Sequence, residues 1–148
     1  KGLSDRGFVF YTNFNSKKGE ELKDNQKSSM CFHWKSLRRQ VRVIGKVEEV
    51  TSKEADDYYN SRPYKNRISA WASSQSQILD KRETFLNKIK EFEKKYSDEN
   101  NVPRPPHWSG WRLMPDEIEF WVDGEGRIHE RLNYKNTNGE WNKEILYP

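Results

Sequence analysis

The sequence predicts a mainly β domain with added helices, an α+β fold. Three observations predict it. Aromatic and β-branched runs that alternate with period two lie toward the two ends of the chain. Helical spacing is confined to the middle. Turn pairs such as Asp123-Gly124 and Asn138-Gly139 join neighbouring runs with no βαβ alternation. Strands, then helices, then strands suit an antiparallel barrel or sandwich with helices outside it. The chain has 148 residues, which fits a single domain, 1–148.

The elements follow in order. Gly7 to Phe14 (GFVFYTNF) reads as a strand after the turn-like Ser4-Asp5-Arg6-Gly7. Ser16 to Asp24 reads as a short helix with Ser16 as N-cap. Ser29 to Trp34 is a second strand, whose apolar run Met30-Cys31-Phe32 predicts a buried, inert thiol. In Gln40 to Val50, Val41 and Val43 share one face and Gln40 and Arg42 the other, while Gly45 marks a bulge or a close backbone approach. Thr51-Ser52-Lys53-Glu54 is a capping box, opening a helix that runs to about Ser61, because Pro63 disfavours helix at Arg62. Another helix starts near Asp80, and its stripe of Phe85, Leu86, Ile89, Phe92 and Tyr96 is expected to pack into the core. Val102 to His107 (VPRPPH) is an ordered connector leading into Trp108. Strands return at Trp111 to Met114, Ile118 to Val122, Arg127 to Lys135 and Glu140 to Leu146.

Composition narrows the function. Charged residues make up 34% of the chain and mean hydropathy is −1.19, values that alone suggest disorder. The 14% aromatic content, with six Trp, argues instead for a folded, aromatic-rich core. A net charge of +4 is mild, and the aromatics fall at core-like positions, so no nucleic-acid partner is expected. The single cysteine excludes an internal disulfide. His33, His107 and His129 lack ligand spacing, so no metal is expected. No apolar run approaches the roughly 18 residues of a membrane span, and no signal peptide is visible, so the expected setting is cytoplasmic. No P-loop, G-x-G-x-x-G, Ser-His-Asp or Cys-His arrangement is present.

Three patterns suit an anion. On a strand, Arg127, His129 and Arg131 would face one way, and such like charges need an anion or a carboxylate between them, or open water. Tyr58 and Arg62, four apart at a helix end, can both donate to a phosphate, or simply stack at the surface. Lys17 and Lys18 follow Ser16 at a helix start, where free N–H groups favour anions; a solvated lysine pair is the plainer alternative.

As an ordered set, the residues resemble the pyridoxamine 5′-phosphate oxidase family. The resemblance is carried by Phe10-Tyr11-Thr12-Asn13, Ser16-Lys17-Lys18, Arg39-Gln40-Val41 and Tyr58 with Ser61-Arg62-Pro63. It continues through Ala70-Trp71 with Gln75-Ser76, and Glu119-Phe120-Trp121 before Arg127-x-His129-x-Arg131. It implies an FMN-binding split β-barrel and a homodimer with FMN in clefts at its interface. It also implies oxidation of pyridoxine or pyridoxamine 5′-phosphate to pyridoxal 5′-phosphate, with O2 as acceptor and H2O2 as product. FMN contacts are then expected from Tyr11, Thr12, Lys17, Lys18, Gln40, Gln75, Ser76, Trp121 and Arg131. The vitamer is expected to meet Lys1, Tyr58, Arg62, Asn66, Arg127 and His129, the last two placed at its reacting ring as the catalytic pair.

Some positions depart from the family pattern. Lys17 replaces the usual Arg, keeping charge but losing a bidentate fork. Asn66 replaces a usual Ser, and Ile145-Leu146-Tyr147-Pro148 differs from the usual Arg-Leu-Ala/Ser-Pro C-terminus. Lys1 matches the last residue of the family's Arg-x-x-x-x-Lys strand, so the family's N-terminal portion, with that arginine, is expected to lie outside this sequence. The alternative is a split-barrel FMN-binding protein without vitamer oxidase activity; the presence of Tyr58, Arg62, Arg127 and His129 favours the oxidase.

Overall fold

The computed structural model describes all residues, Lys1–Pro148. Seven strands form one antiparallel-paired sheet in the order β1-β2-β5-β4-β3, with β6 on β5 and β7 on β6. The strands are β1 (Gly2–Ser4), β2 (Gly7–Asn13), β3 (Lys27–Trp34), β4 (Arg39–Glu49), β5 (Trp108–Val122), β6 (Glu130–Thr137) and β7 (Glu140–Leu146). The helices are α1 (Lys17–Asp24), α2 (Ser52–Asn60), α3 (Tyr64–Ala72) and α4 (Arg82–Lys95). The strand path has two ends, so the sheet is not closed.

The chain divides into two compact units. The first, Lys1 with Phe10–Asp24 and Glu49–Trp111, holds all four helices. Ser16 caps α1, its Oγ accepting from the Gly19 N–H at 3.2 Å. The capping box at Thr51 forms in both directions: the Glu54 N–H donates to Thr51 Oγ1, and the Thr51 N–H donates to the Glu54 carboxylate. The core of this unit centres on Tyr59, Ile68, Ala70, Val102, Trp108 and Trp111. Helix α3, which the helical periodicity did not suggest, begins directly after Pro63, whose fixed φ suits a helix start. Trp71 on α3 packs against Phe92 of α4 and Tyr96, which caps that helix. The apolar stripe of α4 is otherwise shallower than expected: no residue of the helix is fully buried, and Leu86 is exposed.

The second unit comprises Gly2–Val9, Asn25–Glu48 and Arg112–Pro148. Its core is Val9, Val43, Val47 and Leu113. Alternation along β4 holds, with Val43, Gly45 and Val47 buried and Arg42, Ile44 and Lys46 exposed. Gly45 is a close approach: a Cβ there would collide with the Met114 carbonyl oxygen. β4 and β5 thus approach backbone to backbone here, and the two strands expected at 111–114 and 118–122 belong to one strand of 15 residues.

Cys31 is exposed, because the same alternation that turns Met30 and Phe32 inward on β3 turns Cys31 outward. Arg127 and His129 are not on a strand. Glu125–Arg127 form a 3-10 turn, Arg127 itself has a left-handed backbone (φ 65°), and β6 starts only at Glu130.

Candidate active site

In the first unit, β2, α2 and the start of β5 build a stack of aromatic rings. Tyr11 and Tyr58 lie face to face at 4.0 Å, and Tyr11 lies parallel to Trp108 at 5.2 Å. Tyr59 meets the Trp108 ring edge-on and donates its hydroxyl to the Arg67 carbonyl at 3.0 Å. Burial pushes the Tyr59 phenol up to about 12, so it stays a neutral donor well above neutrality.

Arg62 belongs to this stack, though not by the predicted route. Helix α2 ends at Asn60, so Arg62 lies in the following turn, where its N–H donates to the Tyr59 carbonyl. Its guanidinium carbon sits 4.8 Å from the Trp108 ring centroid and 6.0 Å from that of Tyr59. Nη1 is buried with no hydrogen-bond partner. Burial lowers the pKa of this guanidinium from the ordinary arginine value. A cation held by ring faces, with a dry donor to spare, is a site that an anion would complete. Asn66 and Lys1 are exposed.

The other candidates of this unit fall into two groups. Thr12 is buried, its Oγ1 donating to Gln75 Oε1 at 3.3 Å, and the Asn13 N–H donates to the same oxygen at 3.2 Å. Gln75 is thereby tied to β2, with Ser76 beside it in a left-handed conformation (φ 70°). Lys17 and Lys18 are exposed at the start of α1; Lys17 Nζ lies 3.9 Å from Glu21, and Lys18 Nζ lies 6.0 Å from the Phe10 ring.

In the second unit the cations are answered by carboxylates. Arg131 Nε donates to Glu119 Oε1 at 2.8 Å, and Arg42 donates to Glu119 Oε2 at 2.5 Å. Hydrogen bonding from Arg131 and the charges of both arginines hold the buried Glu119 carboxyl below its ordinary value. Arg131 also donates to the Tyr147 carbonyl at 3.0 Å. His129 packs against Trp121 at 4.7 Å between centroids. Gln40, on β4, faces His33 of β3 in register and is half-buried. Arg127 is exposed. The single face of three cations predicted for Arg127, His129 and Arg131 is therefore not formed. Glu119 and Asp123 hold two of them, and the turn carries away the third. Sequence reasoning gave Glu119 no role, although its register opposite β6, two positions before Trp121, was a usable signal. It also passed over Trp108 as the end of a connector.

A seven-stranded antiparallel sheet with four helices is the fold of the split-barrel, FMN-binding proteins. Solved structures agree. PhzG from Burkholderia lata 383, solved with tetrahydrophenazine-1-carboxylic acid, superposes with a TM-score of 0.91 at 30% identity, over all of this chain and 72% of its own. A pyridoxamine 5′-phosphate oxidase-related, FMN-binding protein from Nostoc punctiforme shares the fold, with a TM-score of 0.76 at 17% identity over all of this chain and 77% of its own. The family model "Pyridoxamine 5'-phosphate oxidase" matches residues 2–96, and "Pyridoxine 5'-phosphate oxidase C-terminal dimerisation region" matches residues 108–148. The pyridoxine/pyridoxamine 5′-phosphate oxidase of Pelagibacter ubique is 61% identical across the whole chain, which spans 72% of that relative; the one of Agrobacterium fabrum is 51% identical, also at 72%. The chain belongs to the pyridoxamine 5′-phosphate oxidase family of FMN-dependent oxidoreductases.

Proposed function

We propose that this chain oxidises pyridoxine or pyridoxamine 5′-phosphate to pyridoxal 5′-phosphate, with O2 as acceptor and H2O2 as product. The observation that carries this reading is the buried, unpartnered Nη1 of Arg62 on the Trp108 ring, beside Tyr58. A phosphate monoester supplies the missing acceptor, and a charge-assisted bond to a dry guanidinium is among the stronger ones available.

The donor set suits FMN. Two ammonium groups follow the capped start of α1, a cationic entry for a phosphate, and Thr12, Gln75 and Ser76 offer hydroxyl and amide groups beside it. Tyr11, Thr12, Lys17, Lys18, Gln40, Gln75, Ser76, Trp121 and Arg131 would hold FMN. When bound, FMN supplies the redox chemistry. The chain's own residues do the rest. Arg62 and Tyr58, joined by Lys1 and Asn66, would anchor the substrate phosphate, spending remote binding energy on orientation of the reacting carbon. Arg127 and His129 would meet the vitamer ring. His129 can hold or pass a proton at either ring nitrogen.

Residues 1–148 would form one FMN-binding domain, working as a cytoplasmic homodimer with FMN between subunits. No helix of the chain is long and apolar enough to cross a membrane. The test is to load the protein with FMN and follow formation of pyridoxal 5′-phosphate and H2O2 from each vitamer phosphate. A yellow protein that turns over neither would instead be the FMN binder without oxidase activity. Dilution should release FMN in step with dimer dissociation; a stable monomer that keeps stoichiometric FMN would refute the interface assignment.

A further inference from the structure

Trp108, the first residue of β5, is 7% exposed, and its indole lies at the centre of the ring stack. Tyr58 lies parallel to it at 6.2 Å between centroids with only 4° between planes, Tyr11 lies parallel at 7°, and Tyr59 closes the edge at 65°. Gly110, two residues on, keeps the slot tight: a Cβ there would sit 2.8 Å from the Tyr11 ring. Arg62 is laid on the Trp108 face.

The way Arg62 is held matters. A carboxylate would fix the guanidinium but would also neutralise it and compete with any incoming phosphate. A ring face attracts the cation through its quadrupole and uses none of its N–H donors. The buried, unpartnered Nη1 shows such a donor left in reserve. The indole also offers the strongest cation attraction of the three aromatic types.

We infer that Trp108 is a positioning residue for the substrate phosphate: its indole face holds the Arg62 guanidinium in place with charge and donors unspent. The inference rests on the proposed assignment of Arg62 to the substrate anion. Trp108 itself need touch neither substrate nor cofactor.

The test is a double-mutant cycle on the FMN-loaded protein with Trp108→Leu, Trp108→Phe, Arg62→Ala and Arg62→Ala combined with Trp108→Leu. Two quantities are read: KM for pyridoxamine 5′-phosphate, and the inhibition constant of inorganic phosphate. Trp108→Leu should raise both roughly tenfold, and Trp108→Phe, which keeps a weaker ring face, about threefold. In the Arg62→Ala background, Trp108→Leu should add nothing. If it costs the same factor with Arg62 absent, Trp108 only packs, and the inference falls while the Arg62 assignment stands. If Arg62→Ala alone leaves both constants unchanged, the assignment fails and takes the inference with it. Should Trp108→Leu fail to fold, Trp108→Phe carries the same comparison in both backgrounds, and equal effects in the two would again overturn the inference.

Discussion

His129 Nδ1 lies 3.1 Å from Asp123 Oδ1, and the Gly124 N–H points at the same nitrogen from 3.2 Å. The two contacts ask opposite things of it. A bare Nδ1 accepts from Gly124; a protonated Nδ1 donates to Asp123. The ring is therefore held in one orientation whichever proton state it is in. Asp123→Ala should lower kcat/KM by about fivefold to thirtyfold, the worth of roughly 1–2 kcal/mol. Asp123→Asn, which still offers an oxygen, should recover most of that loss. Steady-state kinetics at matched FMN content checks this.

Arg62→Ala should raise KM for the vitamer phosphate roughly tenfold to a hundredfold, since a charge-assisted bond is worth about 1.5–3 kcal/mol. FMN affinity, measured by fluorescence titration, should change far less. Equal losses in both would assign Arg62 to the cofactor instead.

Glu119 anchors Arg42 and Arg131 together, so Glu119→Gln should destabilise the fold at neutral pH by about 1–3 kcal/mol. The pH dependence has a definite sign. The carboxyl's pKa is lowered from the ordinary 4.5 in the folded protein. Its contribution is thus fully present above that value and is lost as pH falls through the lower, folded one. Melting temperatures of the two proteins should converge on acidification below about pH 4.5.

Tyr59 gives the opposite limb. Its folded pKa is about 12 against an ordinary 10.0. The unfolded chain loses this proton first, so stability is retained below pH 10 and falls as pH rises from there toward 12, at up to about 1.4 kcal/mol per pH unit. Tyr59→Phe should flatten that alkaline limb, as read from denaturant midpoints between pH 9 and pH 11.

Local signals in the sequence carried most of the secondary structure. The capping box at Thr51, the cap at Ser16 and the turn at Asn138-Gly139, where both residues take positive φ, depend only on nearby residues and formed as read. Failures arose where tertiary context decided. Helix α3 has a weak apolar stripe, and its start signal, Pro63, also serves as the stop signal of α2. At Gly124 and Gly126 the loop runs further than its length suggested, because Arg127 also adopts a left-handed backbone, and this moved two site candidates off the strand. The anion-seeking character of Arg62 was legible, but the platform beneath it was not, because residue 11, the pair 58 and 62, and residue 108 converge from three separate segments.

The outward turn of Cys31 gives the chain a built-in handle. It is the chain's only thiol, and it stands on β3, a strand at one end of the sheet path. A maleimide dye would mark each copy once, at a known place, without engineered cysteines. Within these 148 residues the thiol has no cysteine partner, so a disulfide formed by them under mild oxidation joins two copies. A doubled band on a non-reducing gel would then report that two such strand edges had met.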